Sequence, residues 1–295
     1  MNDPSVTIIV PTFNWSSVLP FSVGSALRQT FTDFELLVIG DGCSDDSAAV
    51  VGALGDERVR WINLETHVGH QSGPNNEGLR QARGGCVAYL GHDDLWFPHH
   101  LECLLRAVES GADLAFGVTA MVRPDGRTIE PAPSRLRYTP GVWVPPTSVL
   151  HRRQVVEEVG GWRHSSQVPI DPEADLWRRV HDAGHAIEAV PRLTAIKFPA
   201  VWRKNVYADR PHHEQSDWFE RLRVESDLES KLLGQMLTES SNRFSSTGGL
   251  FRSWIDVVAH AARTQLLRYV PGLYGVAKNE QRRRHRAFKG LHPRS

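Results

Sequence analysis

Residues 89–98 read YLGHDDLWFP, an apolar run that stops abruptly at two adjacent carboxylates, Asp93 and Asp94. Cys86, Val87, Ala88, Tyr89 and Leu90 are continuously apolar after Gly84 and Gly85, the pattern of a strand covered on both faces in a parallel sheet. Ligands of such sheets bind beyond the carboxyl ends of the strands, so this strand is expected to deliver both aspartates to a crevice. After Pro98, residues Leu101, Leu104, Leu105 and Val108 repeat at core spacing for a helix. Two carboxylates side by side repel each other unless a cation or hydrogen bonds compensate, and oxygen ligation with room for substrate phosphates suits Mn2+ or Mg2+. The pair is therefore a candidate metal site. The plainer alternative makes Asp93 a cap of the next helix and leaves Asp94 in solvent.

Upstream, residues 6–10 (VTIIV) predict a first buried strand that stops at Pro11, Thr12, Phe13 and Asn14, a loop that a proline and an asparagine suit. Val18, Phe21, Ala26 and Leu27 follow at helical spacing, and residues 34–39 (FELLVI) predict a second buried strand ending in Gly40, Asp41 and Gly42. Ser44, Asp45 and Asp46 supply cap residues and negative charge ahead of Ala48, Val51 and Leu54. Residues 59–64 read as a third strand, and Gly78, Leu79 and Ala82 suggest a helix leading into the strand at 86–90. This alternation implies a mainly parallel sheet with helices on both faces.

After residues 114–122 the pattern changes. Pro124, Asp125 and Gly126 form a hairpin-type turn, and prolines gather at positions 131, 133, 140, 145 and 146. Residues 147–150 read as a strand, 154–159 as a short helix closed by Gly160 and Gly161, and 176–180 as part of another helix. Residues 220–237 and 250–269 read as amphipathic helices separated by a Ser-rich loop at 239–247.

The chain has 295 residues, enough for one large core and an appendage. Lys plus Arg equals Asp plus Glu at 34 each, so no global charge argues for nucleic acid as a partner. Three cysteines without CxxC spacing argue against a disulfide framework or structural zinc and suit a reducing compartment. The sequence enters a strand at once and holds no apolar stretch of about 18 residues or more, which predicts a cytoplasmic protein, soluble or peripheral at the inner face of the cell membrane. Lys278, Arg282, Arg283, Arg284, Arg286 and Lys289 follow apolar Leu266, Leu267, Val270, Leu273 and Tyr274, an order that suits docking on an anionic membrane surface; the bland alternative is a packed helix with a solvated tail.

Four pieces stand in order: 6–14 (VTIIVPTFN), 29–45 (QTFTDFELLVIGDGCSD), 76–85 (NEGLRQARGG) and 89–98 (YLGHDDLWFP). Together they resemble glycosyltransferase family 2. The resemblance implies an α/β fold of GT-A type, a Rossmann-like mixed sheet, mainly parallel, with helices on both faces and a C-terminal helical extension. It divides the chain into a nucleotide-sugar-binding half at 1–110, an acceptor-binding half at 111–215 and a helical extension with a basic tail at 216–295. It also implies a metal-dependent inverting glycosyltransferase. Such an enzyme moves a sugar from a nucleotide-diphospho-sugar donor, a UDP-sugar being favoured, to a hydroxyl of a glycan or lipid-linked acceptor, in cell-surface polysaccharide or lipopolysaccharide biosynthesis.

Residue by residue, the resemblance places Pro11, Thr12, Phe13 and Asn14 against the nucleoside, makes Asp41 the carboxylate that reads the base, and adds Asn76 to the donor site. A carboxylate is a sensible acceptor for the N3–H of uracil. Asp94 matches the metal ligand, Asp93 the partner on sugar, ribose or metal, and His213 a histidine that reaches metal or diphosphate. Residues 170–177 (IDPEADLW) match the acidic segment that supplies the base; alignment on Leu176 and Trp177 favours Glu173, with Asp171 and Asp175 still candidates. Two positions depart from the family pattern: Gly40 stands where many members have aspartate, and Asn75 where many have arginine. Those departures motivate a competing reading, a non-catalytic nucleotide-sugar-binding protein. A sugar nucleotidyltransferase is a further competitor, but it would be expected to open with a glycine-rich phosphate loop where this chain has Pro11 to Asn14.

Overall fold

The apolar runs become the centre of a sheet. The computed structural model describes residues 3–127 and 129–245. In chain order these form β1 (Val6–Thr12), α1 (Leu19–Leu27), β2 (Phe34–Gly40), α2 (Ser47–Gly52), β3 (Val59–Asn63), α3 (Ser72–Gln81), β4 (Cys86–Tyr89), β5 (Leu95–Trp96), α4 (His100–Glu109), β6 (Leu114–Val122), β7 (Ile129–Ala132), β8 (Val149–Arg152), α5 (Arg153–Glu158), α6 (Pro172–Asp182), β9 (Ile187–Lys197), α7 (Val206–Asp209), α8 (His213–Val224) and α9 (Leu228–Ser245).

Two compact units result. Of the described residues, the larger comprises those up to Met121, Pro131–Phe198 and Pro211–Glu229, and the smaller those in Val122–Glu130, in Pro199–Arg210 and from Ser230 on. In the larger unit the strands lie in the order β3-β2-β1-β4-β8-β6-β9-β5. The first four are mutually parallel, β8 and β5 run antiparallel to their neighbours, and β6 and β9 are parallel to each other. The mainly parallel mixed sheet expected from the sequence is present. In the smaller unit, Arg123 pairs with Glu130 and lies over the Trp202 ring, while the buried Arg203 donates to the carbonyls of Pro199 and Val122.

Alternation along the buried strands sends side chains to two cores. Val6, Ile8 and Val10 of β1 face Leu19 and Val23 of α1 and Leu101, Leu104 and Val108 of α4. Ile9 of β1, with Leu37 and Ile39 of β2, faces Leu79 of α3, Val155 of α5 and Leu176, Trp177 and Val180 of α6. Helices therefore cover both faces.

Several sequence boundaries are corrected. The strand expected at 147–150 begins at Val149, because Pro145 and Pro146 lead into a 3-10 turn over Pro146–Ser148. The helix expected at 220–237 is two helices: α8 ends at Val224, and α9 starts at Leu228 and runs to Ser245, through residues read as a Ser-rich loop. Strands β5 and β9 were not legible: β5 has two residues, and Pro191 interrupts the β9 pattern. The helix at 250–269 and the basic run from Lys278 to Lys289 lie outside the described residues.

At the amino edge of the sheet a buried polar group is fully engaged. Thr7 Oγ1 donates to Glu35 Oε1 at 2.8 Å and accepts from Gly84 N at 2.9 Å, while Arg83 reaches Glu35 through both its backbone N–H and its guanidinium. Burial pushes the Glu35 carboxyl up, but the hydrogen bonds from Arg83 and Thr7 and the Arg83 charge outweigh it and hold the group below its ordinary value. A carboxylate depressed in the fold stabilises it above the ordinary glutamate pKa, and that stability is lost as pH falls through the folded value. We expect Glu35→Gln to lower unfolding free energy by about 1–3 kcal/mol at neutral pH. In denaturant titrations the gap from wild type should shrink below the ordinary glutamate range.

Candidate active site

Strands β1 and β4 are neighbours, but the chain leaves β1 toward β2 on one side and reaches β4 on the other, so the crevice beyond their carboxyl ends is a topological switch point. Thr12, at the end of β1, closes it by a 2.9 Å contact between its Oγ1 and His92 Nδ1. Asn14 turns the chain with a positive φ of 46°, a conformation asparagine tolerates better than most residues. Its side-chain oxygen accepts from Ser44 N at 2.7 Å and Asp45 N at 3.2 Å, fastening the loop after β1 to the loop after β2.

Asp41 is buried at the floor of this corner. Its Oδ1 accepts from Val68 N at 2.8 Å, its Oδ2 from Gly69 N at 2.7 Å, and His67 Nδ1 lies 3.0 Å from the same Oδ2. Phe13 stacks on His67 with ring centroids 3.8 Å apart. The glycine at position 40 has a steric cause. A Cβ there would meet Asn63 Oδ1 at 2.4 Å and the Trp61 ring at 2.8 Å, so neighbours on β3 fill the space that an aspartate would need.

Beyond β4 the chain turns at Gly91, whose carbonyl accepts from Asp94 N at 3.0 Å. A Cβ on Gly91 would lie 2.5 Å from Asp94 Oδ2, so the glycine keeps open the space into which this carboxylate folds back. The next two residues form β5, which pairs antiparallel with β9 as Leu95 opposite Ile196 and Trp96 opposite Ala195. One step back along the same register, Asp94 stands opposite Lys197, and Lys197 Nζ lies 2.8 Å from Asp94 Oδ2. Phe198 N donates to Asp94 Oδ1 at 3.3 Å. Asp94 is fully buried and Asp93 nearly so, and the Asp93 carbonyl accepts from Gln215 Nε2 on α8.

Glu173 lies in the first turn of α6, partly buried. Trp143 Nε1 donates to its Oε1 at 3.0 Å and Gln71 Nε2 to its Oε2 at 3.4 Å. Burial, then the negative charge of Asp171, raise its pKa, with the Trp143 N–H pulling the other way. Lys197 connects the two carboxylate groups electrically. Burial would favour the neutral amine, but the charges of Asp94, Asp93 and Glu173 outweigh it and hold the ammonium charged above the ordinary lysine range.

Other candidates have structural employment. Asp175 is buried beneath Arg179, whose Nε donates to Asp175 Oδ2 at 2.8 Å and whose other nitrogens donate to the carbonyls of Val159 and Gly161; Arg178 and Arg163 also face it. It is a clamp between α6 and the 159–161 turn. Asp171 precedes α6 and is exposed. The Asn76 amide donates to Trp162 O at 2.8 Å and accepts from Trp162 N at 2.9 Å, so it braces that loop with its hydrogen bonds. Asn75 is fully buried, with no partner for its amide among the described residues. His213 opens α8 as an exposed residue. Sequence reasoning missed Lys197, Trp143, Gln71, His67 and Gln215. For Lys197 a signal existed: residues 193–198 read LTAIKF, a lone cation in an apolar run, as 89–98 hold two anions in one.

The sheet order, the crevice at its switch point and the acids gathered there define a domain of GT-A type. Comparison with known proteins agrees. Glycosyl transferase family 2 matches residues 7–159, slightly more than half of the sequence. The chain belongs to glycosyl transferase family 2, a family of transferases. Among similar proteins, the Escherichia coli UDP-Glc:alpha-D-GlcNAc-diphosphoundecaprenol beta-1,3-glucosyltransferase WfgD is 35% identical over 102 residues, 35% of this chain and 40% of that one. S. aureus TarS 1-349, solved in complex with UDP-GlcNAc, superposes with a TM-score of 0.56 at 18% identity, covering 83% of this chain and 73% of the other. Mannosyltransferase PcManGT from Pyrobaculum calidifontis, solved with GDP-Man and Mn2+, gives 0.53 at 18% identity, covering 94% and 86%. The likeness to these two structures is one of fold. The chain spans about half or less of the length of the first curated relatives it matches.

Enzymes of this family commonly use a divalent metal. The side chains here do not fit one as they are arranged. Both Asp94 oxygens are engaged, one by an ammonium and one by a backbone N–H. Among the described residues no three His, Cys, Asp or Glu side chains converge, so Asp94, Asp93 and His213 do not form a preassembled ligand set.

Asp175→Asn should destabilise the larger unit by about 3–5 kcal/mol, because it leaves the Arg179 guanidinium without its anion in a poorly solvated place. Thermal or denaturant unfolding measures this. A loss of turnover with full stability would instead return Asp175 to the reacting groups.

Proposed function

We propose that this chain transfers a sugar from a nucleotide-diphospho-sugar to a hydroxyl of a glycan or lipid-linked acceptor, with inversion, in the building of a cell-surface polysaccharide or lipopolysaccharide. The observation that carries this reading is the tie between the two halves of the chain: Gln71, at the start of α3, donates to Glu173 Oε2, and Lys197 of β9 sits on Asp94 beyond β4. It joins a candidate base from the second half of the chain to the half that holds the acids beyond β4.

In this reading the nucleoside lies in the corner made by Pro11, Thr12, Phe13 and Asn14, against the Phe13 and His67 rings. Asp41 keeps one acceptor position on Oδ1 after its bond from Val68 N, enough for the N3–H of uracil, which favours a UDP-sugar. Asp93 meets sugar or ribose hydroxyls. Glu173, steered by Trp143 and Gln71, takes the proton of the acceptor hydroxyl as the new bond to the anomeric carbon forms. The bond from that carbon to the diphosphate oxygen breaks on the opposite side, and the nucleoside diphosphate leaves with the electron pair. A base with a raised pKa is better matched to neutral pH than an ordinary carboxylate. Because Asp94 is engaged by Lys197, no step here is assigned to a metal ion.

A lipid-linked acceptor would place the protein in the cytoplasm at the inner face of a membrane. Among the described residues no helix is long and apolar enough to cross one. The basic run from Lys278 to Lys289 would supply attraction to anionic lipid.

Glu173→Gln tests the assignment. Donor turnover should fall by roughly 10²–10⁴-fold while nucleoside diphosphate affinity in calorimetry stays near wild type. In wild type, kcat/KM should decline as pH falls through a value above the ordinary glutamate range, where Glu173 takes up its proton, and the variant should lack that limb. Undiminished turnover in the variant refutes Glu173 as base.

A further inference from the structure

The carboxylate pair already has a cation, and the chain itself supplies it. Lys197 reaches Asp94 by the strand register: β5 and β9 pair at Leu95 with Ile196 and Trp96 with Ala195, and the next opposed positions are Asp94 and Lys197. The backbone therefore holds the two side chains together, and Gly91 keeps the space into which Asp94 folds. Phe198 N fixes the second Asp94 oxygen. A divalent ion entering here would have to displace an ammonium at 2.8 Å and leave it beside Asp93 and Glu173 without its closest counter-charge. The Lys197 side chain is nonetheless 22% exposed, so it can be approached from the crevice.

We propose that Lys197 is the cation of this site: it holds on Asp94 the place that a divalent metal would take and offers its other N–H groups to the diphosphate of the donor, so that nucleotide binding needs no metal. This rests on the donor reading above and deepens it. An ammonium is a compact point charge with three donors, suited to a phosphate oxygen on one side and a carboxylate on the other. Asp94, in turn, is a positioning residue that aims Lys197.

Two measurements on the full chain test this. In the first, UDP, GDP and dTDP are titrated calorimetrically with Mn2+ and then with EDTA. Wild-type affinity for the nucleotide that binds should agree within about twofold between the two conditions, Lys197→Arg should keep metal-free binding, and Lys197→Met should weaken it about tenfold or more in EDTA. Because Lys197→Met strands the buried Asp94 charge, the double variant Asp94→Asn with Lys197→Met, which removes both charges, is measured beside it and should show the same loss. In the second, the electron paramagnetic resonance of Mn2+ alone is followed with protein. Its signal should stay that of the free ion with wild type and become immobilised with Lys197→Ala, which releases two carboxylates. A wild type that immobilises Mn2+, or whose nucleotide affinity drops about tenfold in EDTA, overturns the proposal. If no nucleotide binds under either condition, the donor reading fails together with the diphosphate contact, and the Mn2+ signal alone decides whether lysine holds the metal's place.

Discussion

A carboxylate taken out of water must be met by opposite charge or hydrogen bonds, and Asp94 is taken out completely. Much of the catalytic corner follows from how that demand is met. The ammonium comes from β9, so β9 must lie beside β5; that pairing carries Phe198 to the other oxygen and brings the lysine within electrostatic reach of Glu173. Trp96, the second residue of β5, anchors the arrangement from behind, its indole N–H donating to Thr147 O at 2.7 Å and its ring stacked on His100. Asp94 and Lys197 are thus placed by strand register and buried aromatic packing, which fix geometry better than loops do.

The opposite corner works by the same economy with weaker bonds. Asn14 and Asp41 use their polar atoms mostly on backbone N–H groups of neighbouring loops, and each such bond satisfies a donor that regular structure leaves unpaired. The loops at this corner are thus already braced, and a ligand bound there would find little loop entropy left to lose.

The legible parts of the sequence were those whose signal is local. Continuous apolar runs announced β1, β2 and β4, and the acids after β4 announced a crevice, because burial on both faces and a strand terminus each leave a mark within ten residues. Glu173 became a candidate through its neighbours Leu176 and Trp177, which the structure buries as the core side of α6. Lys197 was missed because its meaning depends on a residue 103 positions earlier. Two adjacent acids ask for a cation, and nothing near them in the sequence points to Lys197, which the fold brings against Asp94. The Arg179 pairing of Asp175 was illegible for the converse reason, since an acid in the first turn of a helix looks the same whether it faces a substrate or an arginine. Gly40 looked like a lost function until Asn63 and Trp61 were seen to occupy its space.

The separation between Asp94 and Lys197 also sets an order of events in biosynthesis. Strands β1 to β4 can pair parallel with one another as soon as they leave the ribosome, since these parallel pairings all lie within the first 89 residues; only the antiparallel pairing of β4 with β8 comes later. Until residue 197 has been made, the two acids after β4 stand at the end of that nascent sheet with their lysine still to come. Contacts over such sequence distance close late, after the loop entropy between them has been met. The four parallel strands are thus available before Asp94 meets its lysine, and a chain cut off before β9 would lack that pair.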